Sequence, residues 1–158
     1  MKHDNRKRKI CFAATFGGHF EQLMMLEPLM KKYDSFIVTE RTPIEIDQKG
    51  IPIYYLRQVN RREKTFLLTT LINTLISLKI IIFWRPDIVI TTGALAIVPI
   101  CLLVKVFRKK LIYIESFAKT TTSTKSGKLL YKFADQFYVQ WENMLTIYPN
   151  AIYLGGIY

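Results

Sequence analysis

The sequence predicts an α/β protein, a parallel sheet with helices packed against it, and three observations carry that prediction. Short apolar runs such as Ile10 to Ala14 and Ile88 to Ile90 alternate with stretches whose apolar residues recur at helical spacing. Small-residue turns follow two of those runs, at Gly17-Gly18 and at Thr91-Thr92-Gly93-Ala94. The 158 residues suffice for one domain with a real core and are too few for two full α/β domains. Alternating strands and helices of this kind build parallel sheets with right-handed crossovers, and such sheets bind ligands at the C-terminal ends of their strands.

In chain order, the first strand is Ile10 to Ala14. After Gly17-Gly18 comes a helix with Phe20, Leu23, Met24, Leu26 and Met30 on its apolar side, closed at its negative end by Lys31-Lys32. Two adjacent glycines permit φ > 0 and close backbone approach, and the positive end of the helix points at the same spot, which suits a phosphate. A plain strand-to-helix turn requires glycine as well, so the pair alone leaves both readings open. His19 stands in the first helical turn, able to donate to a phosphate oxygen or to accept a proton from a hydroxyl.

Phe36 to Val38 reads as the second strand, with Thr39, Glu40 and Arg41 at its C-terminal end. Pro43 to Gly50 is a loop or short helical turn, Ile51 to Leu56 a third strand delayed by Pro52, and Arg57, Asn60, Arg61 and Arg62 form a basic loop. Phe66 to Trp84 is the most apolar stretch, 19 residues long and in principle enough to cross a bilayer. Thr69, Thr70, Asn73, Thr74 and Ser77 give it a weakly polar face, and Lys79 would add about 2.5–3.5 kcal/mol to insertion. Spanning would also part the strands before it from those after it. The expectation is a long helix with one face on the sheet and another, ending in Trp84 and Arg85, dipping into the membrane interface.

Strand Ile88 to Ile90, helix Leu95 to Phe107, strand Leu111 to Ile114, a polar loop Glu115 to Ser126, helix Gly127 to Ala134, strand Gln136 to Val139, helix Glu142 to Tyr148 and strand Ala151 to Leu154 complete the pattern. The strand-end rule gathers Gly17, Gly18, His19, Thr92, Gly93, Glu115 and Ser116 at one edge. Together they offer donors for a phosphate and one carboxylate, with no nucleophile, metal cluster or catalytic triad. Glu115 can orient a sugar hydroxyl or His19, or act only as a helix cap or ion-pair partner.

Lys and Arg total 23 against 12 Asp and Glu, a net charge of +11, so the natural partner is anionic. A mean hydropathy of +0.14 with half the residues hydrophobic favours a membrane surface over nucleic acid. Cys11 and Cys101 stand alone, without C-x-x-C spacing, which fits a reducing compartment with neither zinc nor disulfide framework. Residues 1–9 form a basic arm with Lys2, Arg6, Lys7, Arg8 and Lys9, too weakly apolar for a signal peptide and suited to anionic headgroups or to solvent. Residues 10–158 are read as one domain.

Five blocks of sequence resemble one family. They are G-G-H-F-E-Q-L from Gly17, P-D-I-V-I-T-T-G-A from Pro86 with P-I-C-L-L-V-K after it, Y-I-E-S-F-A-K from Tyr113, S-G-K-L-L-Y-K-F-A-D-Q-F-Y-V-Q-W from Ser126, and Y-P-N-A-I-Y-L-G-G from Tyr148. The family is that of the membrane-recruiting subunit of the two-part N-acetylglucosaminyltransferase of dolichol-linked oligosaccharide synthesis. Its bacterial relatives are the galactosyltransferase-enhancing subunits of capsule and exopolysaccharide synthesis. More distantly the chain is similar to the N-terminal half of the peptidoglycan transferase that glycosylates lipid I.

The resemblance implies a Rossmann-like, acceptor-side half of a GT-B glycosyltransferase, inactive alone and without a cofactor of its own. A partner chain would supply the UDP-sugar-binding half, and the acceptor would be a polyprenyl-diphosphate-linked saccharide. It implies that Gly17, Gly18 and His19 lie near the acceptor's diphosphate, although Thr15-Phe16 stand where the family usually has another glycine. The eukaryotic members' N-terminal anchor is not seen, so a bacterial-type member held peripherally on the cytoplasmic face of the cell membrane is expected. The competing readings are a free-standing small nucleotide-sugar transferase and a nucleic-acid binder. The second explains the charge but not the apolar excess.

Overall fold

The computed structural model describes residues 7–43 and 50–158. Within these residues seven strands form one parallel sheet: β1 Lys9–Ala14, β2 Asp34–Glu40, β3 Ile53–Leu56, β4 Ile88–Gly93, β5 Lys110–Ile114, β6 Gln136–Val139 and β7 Ile152–Tyr153. Their spatial order is β3-β2-β1-β4-β5-β6-β7. The chain winds from β1 outward through β2 and β3, then crosses back to β4 on the other side of β1 and continues outward. Where the winding direction reverses, between β1 and β4, the two flanking connections diverge and leave a crevice at the C-terminal strand ends.

The central strands carry continuous apolar runs, residues 10–14 in β1 and 88–90 in β4, because both faces are covered. On one face Ile10, Phe12 and Ala14 pack with Phe20, Leu23 and Met30 of α1 Gly18–Met24 and α2 Glu27–Lys32. On the other, Cys11 and Ala13 pack with Ile80, Ile81, Ile100 and Val104 of α3 Phe66–Trp84 and α4 Val98–Val106, and with Leu130 of α5 Lys125–Leu130. Cys11 and Cys101 are free thiols, and burial raises both, Cys101 to about 12.

All seven expected strands are present, and the departures lie in the helices. The helix expected from Phe20 to Met30 breaks into α1 and α2 at Met25-Leu26. Pro28 has no N–H to return to Met24, and it sits in the first turn of α2, where that lack costs nothing. Likewise the helix expected from Leu95 opens as a 3-10 turn, Leu95–Ile97, before α4 with Pro99 in its first turn. Glu142–Thr146, expected as helix, is a 3-10 turn only. Thr91, Thr92 and Gly93 end β4 rather than following it.

The long helix α3 has the expected bounds and an unexpected orientation. Two of its polar residues face fully inward: Asn73 and Ser77 are buried, while Leu67, Leu68, Leu71, Leu75, Ile82 and Phe83 are all more than half exposed. Asn73 explains part of this, since its Oδ1 accepts from the Arg57 amide at 2.9 Å and its Nδ2 donates to the Arg57 carbonyl at 2.8 Å, clamping the segment after β3. Trp84, expected at the interface, instead packs inward on Phe36 and Tyr54, with the Lys9 ammonium over its ring. Lys9, counted with the basic arm, starts β1 and lies 3.6 Å from Asp34. Residues 1–6 of that arm, and 44–49 of the connection after β2, lie outside the described residues.

Candidate functional site

Gly17 is the pivot of the first strand-to-helix turn. Its φ of 97° is a conformation that glycine alone adopts cheaply, and its carbonyl accepts from the amides of Phe20 and Glu21 at 2.8 and 3.0 Å, starting α1. No side chain caps α1. A Cβ built on Gly17 or on Gly18 would meet nothing within 4 Å, so both border open space rather than packed protein.

His19 is held by two reciprocal bonds to Thr92. Its Nδ1 lies 2.8 Å from the Thr92 carbonyl, and the Thr92 hydroxyl donates to the His19 carbonyl at 2.7 Å. A carbonyl only accepts, so Nδ1 carries a proton and Nε2 is left for a ligand, accepting when the ring is neutral and donating when it is an imidazolium. The β1–β4 register explains the reach: Ala13 pairs with Thr91 but Ala14 pairs with Gly93, so Thr92 is the extra residue of a bulge, re-aimed toward α1.

The remaining predicted residues divide by what their polar atoms already do. Thr92 is fully buried and its hydroxyl is spent on His19, which makes it a positioning residue. Gly93 gives its amide to Thr91 Oγ1 at 2.9 Å, and its φ of 98° with the Tyr113 hydroxyl against its α-carbon explains the glycine by conformation and packing. Ser116 is half-buried, its amide bonded to Glu115 Oε1 at 2.9 Å.

Glu115 itself is fully buried. One carboxylate oxygen accepts from the Ser116 amide and the Thr124 hydroxyl (2.8 Å), the other from the Tyr148 hydroxyl (2.7 Å) and the Thr124 amide (3.3 Å). Every lone pair is taken, so the expectation that Glu115 orients a sugar hydroxyl or His19 gives way to a scaffold role. The network continues from Thr124 Oγ1, which accepts from the Gly127 amide and caps α5, and a Cβ on Gly127 would collide with Glu115. Burial, then the Glu115 charge, pushes the Tyr113 and Tyr148 hydroxyls well above the usual tyrosine range, keeping them protonated. Sequence reasoning missed Tyr148, which lies 33 residues from Glu115 with no local sign of the contact. Thr124 carried a legible cap signal, a threonine opening a helical stretch.

One further carboxyl stands at this edge. Glu40 ends β2, is 9% exposed, and has no hydrogen-bond or ion-pair partner among the described residues; burial raises it to about 7. Among the described residues no cluster of His, Cys, Asp or Glu is placed to share a metal ion.

The comparisons with known proteins follow this geometry. Solved structures with the same fold include MurG of Acinetobacter baumannii (TM-score 0.71, 16% identity, 86% of this chain and 42% of that one). The UDP-GlcNAc 2-epimerase of Neisseria meningitidis bound to UDP-GlcNAc also matches (TM-score 0.68, 12% identity, 94% and 47%). These likenesses establish the fold, a Rossmann-like half of the GT-B architecture. Among curated proteins, the UDP-N-acetylglucosamine transferase subunit ALG14 of Rattus norvegicus is 33% identical over 116 residues, 66% of this chain and 54% of its own length. The Schizosaccharomyces pombe subunit alg14 is 40% identical over 84 residues, 48% of this chain and 40% of its own length. That of Yarrowia lipolytica is 27% identical over 181 aligned positions, 98% and 82%. The chain thus spans about half the length of the first two. The profile of the Alg14-like oligosaccharide biosynthesis proteins matches residues 17–157, nearly the whole domain including the glycine turn, His19 and the Glu115 network. The chain belongs to the Alg14-like family of oligosaccharide biosynthesis proteins.

Proposed function

We propose that this chain is the acceptor-side, membrane-proximal half of a split GT-B glycosyltransferase that extends a polyprenyl-diphosphate-linked saccharide in oligosaccharide, capsule or exopolysaccharide synthesis. The observation that carries the reading is the pairing of a half-enzyme fold with an open glycine turn at the sheet's switch point. The chain matches under half of each of these solved structures, and Gly17 and Gly18, just before His19, border unfilled space where the sheet's winding reverses. Gly17, Gly18 and His19 receive the acceptor's diphosphate, with Ser116 at the far side of the crevice and Thr92 holding His19 in place. His19 acts through Nε2, donating to a diphosphate oxygen as the imidazolium or, as the neutral ring, accepting the proton of the attacking hydroxyl. A separate chain supplies the UDP-sugar site, a reading supported by the relatives' being named as subunits of a UDP-N-acetylglucosamine transferase.

Attachment is peripheral, at the cytoplasmic face. It rests on the outward leucines of α3, flanked by Arg57, Arg61, Arg62 and Lys64 at one end and Lys79 and Arg85 at the other. The exposed apolar face supports anionic lipid over nucleic acid as the partner of the positive charge. The test is transfer from UDP-sugars to a lipid-diphosphate-linked acceptor by the purified chain, alone and with the protein that co-purifies with it. Turnover is expected only from the pair. Turnover by this chain alone would favour a free-standing transferase.

A further inference from the structure

Glu40 ends β2 with a carboxyl that has no hydrogen-bond or ion-pair partner among the described residues. Burying a carboxyl without a hydrogen-bond partner costs free energy, and a glutamine or leucine at the end of β2 would serve the sheet better. Its position gives the reason for its presence. Phe36 and Val38 of β2 lie in the core layer shared with α3 and α4, so by alternation Glu40 faces that same side, whereas His19 sits with α1 on the other. β2 packs against the 3-10 turn Leu95–Ile97, and Glu40 pairs with Leu56, the last residue of β3.

At the same sheet edge lies a cavity of about 560 Å³ lined by Gln58, Asn60, Arg61, Arg62, Glu63 and Leu95. One wall follows β3 and the other follows β4, so the space between them spans the ends of the two intervening strands, β2 and β1. The tip carrying the arginines is shaped by Asn60, whose side chain accepts from the Arg62 amide at 3.1 Å and donates to Glu63 Oε1 at 3.1 Å. Neither the Arg61 nor the Arg62 guanidinium has an ion-pair partner among the described residues.

We propose that Glu40 and the Arg61–Arg62 cavity at the same edge form a saccharide subsite, in which the carboxyl of Glu40 hydrogen-bonds the hydroxyls of the acceptor's sugar. The inference rests on the acceptor-binding reading above and adds to it the place of the sugar, across β1 from the diphosphate. A carboxyl at this spot repels phosphate, while sugar hydroxyls, each both donor and acceptor, satisfy it whether or not it carries a proton. The burial that raises Glu40 to about 7 makes both forms available near neutrality. The two guanidiniums at the mouth add donors for the remaining hydroxyls.

The experiment compares binding of geranyl diphosphate with geranyl diphosphate carrying glucose, galactose or N-acetylglucosamine, titrated into the full chain and into Glu40→Gln, Glu40→Ala and His19→Ala. In wild type at least one glycosylated probe is expected to bind about tenfold more tightly than geranyl diphosphate, about 1.4 kcal/mol. Both Glu40 variants should lose that increment, keep wild-type affinity for geranyl diphosphate, and melt at or above the wild-type temperature. His19→Ala should weaken all four probes alike. Retention of the full increment by the Glu40 variants, or no increment in wild type with any of the sugars, overturns the subsite and leaves the diphosphate reading standing. Failure of wild type to bind even geranyl diphosphate overturns the acceptor reading and the subsite together.

Discussion

At the end of β1 the Gly17-Gly18 turn borders open space and His19 keeps Nε2 outside its own bonding, whereas at the end of β5 the carboxylate of Glu115 has every lone pair taken by Ser116, Thr124 and Tyr148. Both lie on the edge where α/β sheets bind ligands, and both lie within the region that the family profile matches. The difference teaches that position on the edge does not make a binding group. What decides is whether the polar atoms are already satisfied within the protein, and it is by that criterion that the proposed site includes His19 and rests on Glu115 as its foundation.

The sharpest way to break this contrast is to remove each group and read stability. Glu115→Leu leaves the Tyr148 and Thr124 hydroxyls and two amides without an acceptor in a site where Gly127 allows no rearrangement, and a loss of at least about 3 kcal/mol is expected. His19→Ala removes one bond from a half-buried ring and should cost about 1 kcal/mol or less. Denaturant melts of the two variants check the ordering, and equal losses would erase the distinction.

A second comparison sets α3 against the core helices. Leu71→Asp with Leu75→Asp replaces side chains that are 57% and 59% exposed, so folding should be unaffected while partition onto vesicles of an anionic phospholipid falls about tenfold or more. Unchanged partition would move membrane contact elsewhere.

A further effect is the pH dependence arising from Glu40. Its carboxyl is raised from 4.5 to about 7 by burial, so the folded state holds the proton more tightly than the unfolded chain does. The stabilising contribution is therefore complete below about pH 4.5 and is lost as pH rises through about 7. Allowing for screening, wild type should lose about 1–2 kcal/mol relative to Glu40→Gln between pH 4.5 and 8. Parallel stability curves for the two proteins would show that Glu40 is not held in a desolvated site.

Much of the fold was legible because period and punctuation agree in this chain. The apolar runs of β1, β2 and β4 are continuous, as strands covered on both faces must be, and Gly17 announces its turn. The helix breaks at Pro28 and Pro99 follow from missing donors that sequence reasoning could have weighed. Long-range packing was not legible. The inward turn of Asn73 depends on the Arg57 backbone, that of Trp84 on Phe36 and Tyr54, and the acceptor set of Glu115 on Tyr148, none of which leaves a periodic trace. Within the candidate site, the glycine turn and His19 could be read locally, while the β4 bulge that brings Thr92 to His19 exists only as a register shift between neighbouring strands.

The central claim, that the turn at the end of β1 holds the acceptor's diphosphate through His19, is tested most directly by steady-state kinetics of His19→Ala in the complex reconstituted with its partner chain. A contact equal in ground and transition states raises the acceptor KM about tenfold while kcat stays within about twofold of wild type. A fall in kcat of about 10² to 10⁴ would instead make His19 the base for the attacking hydroxyl, still within the site. Wild-type kcat together with wild-type acceptor KM would remove His19 from the site and contradict the account.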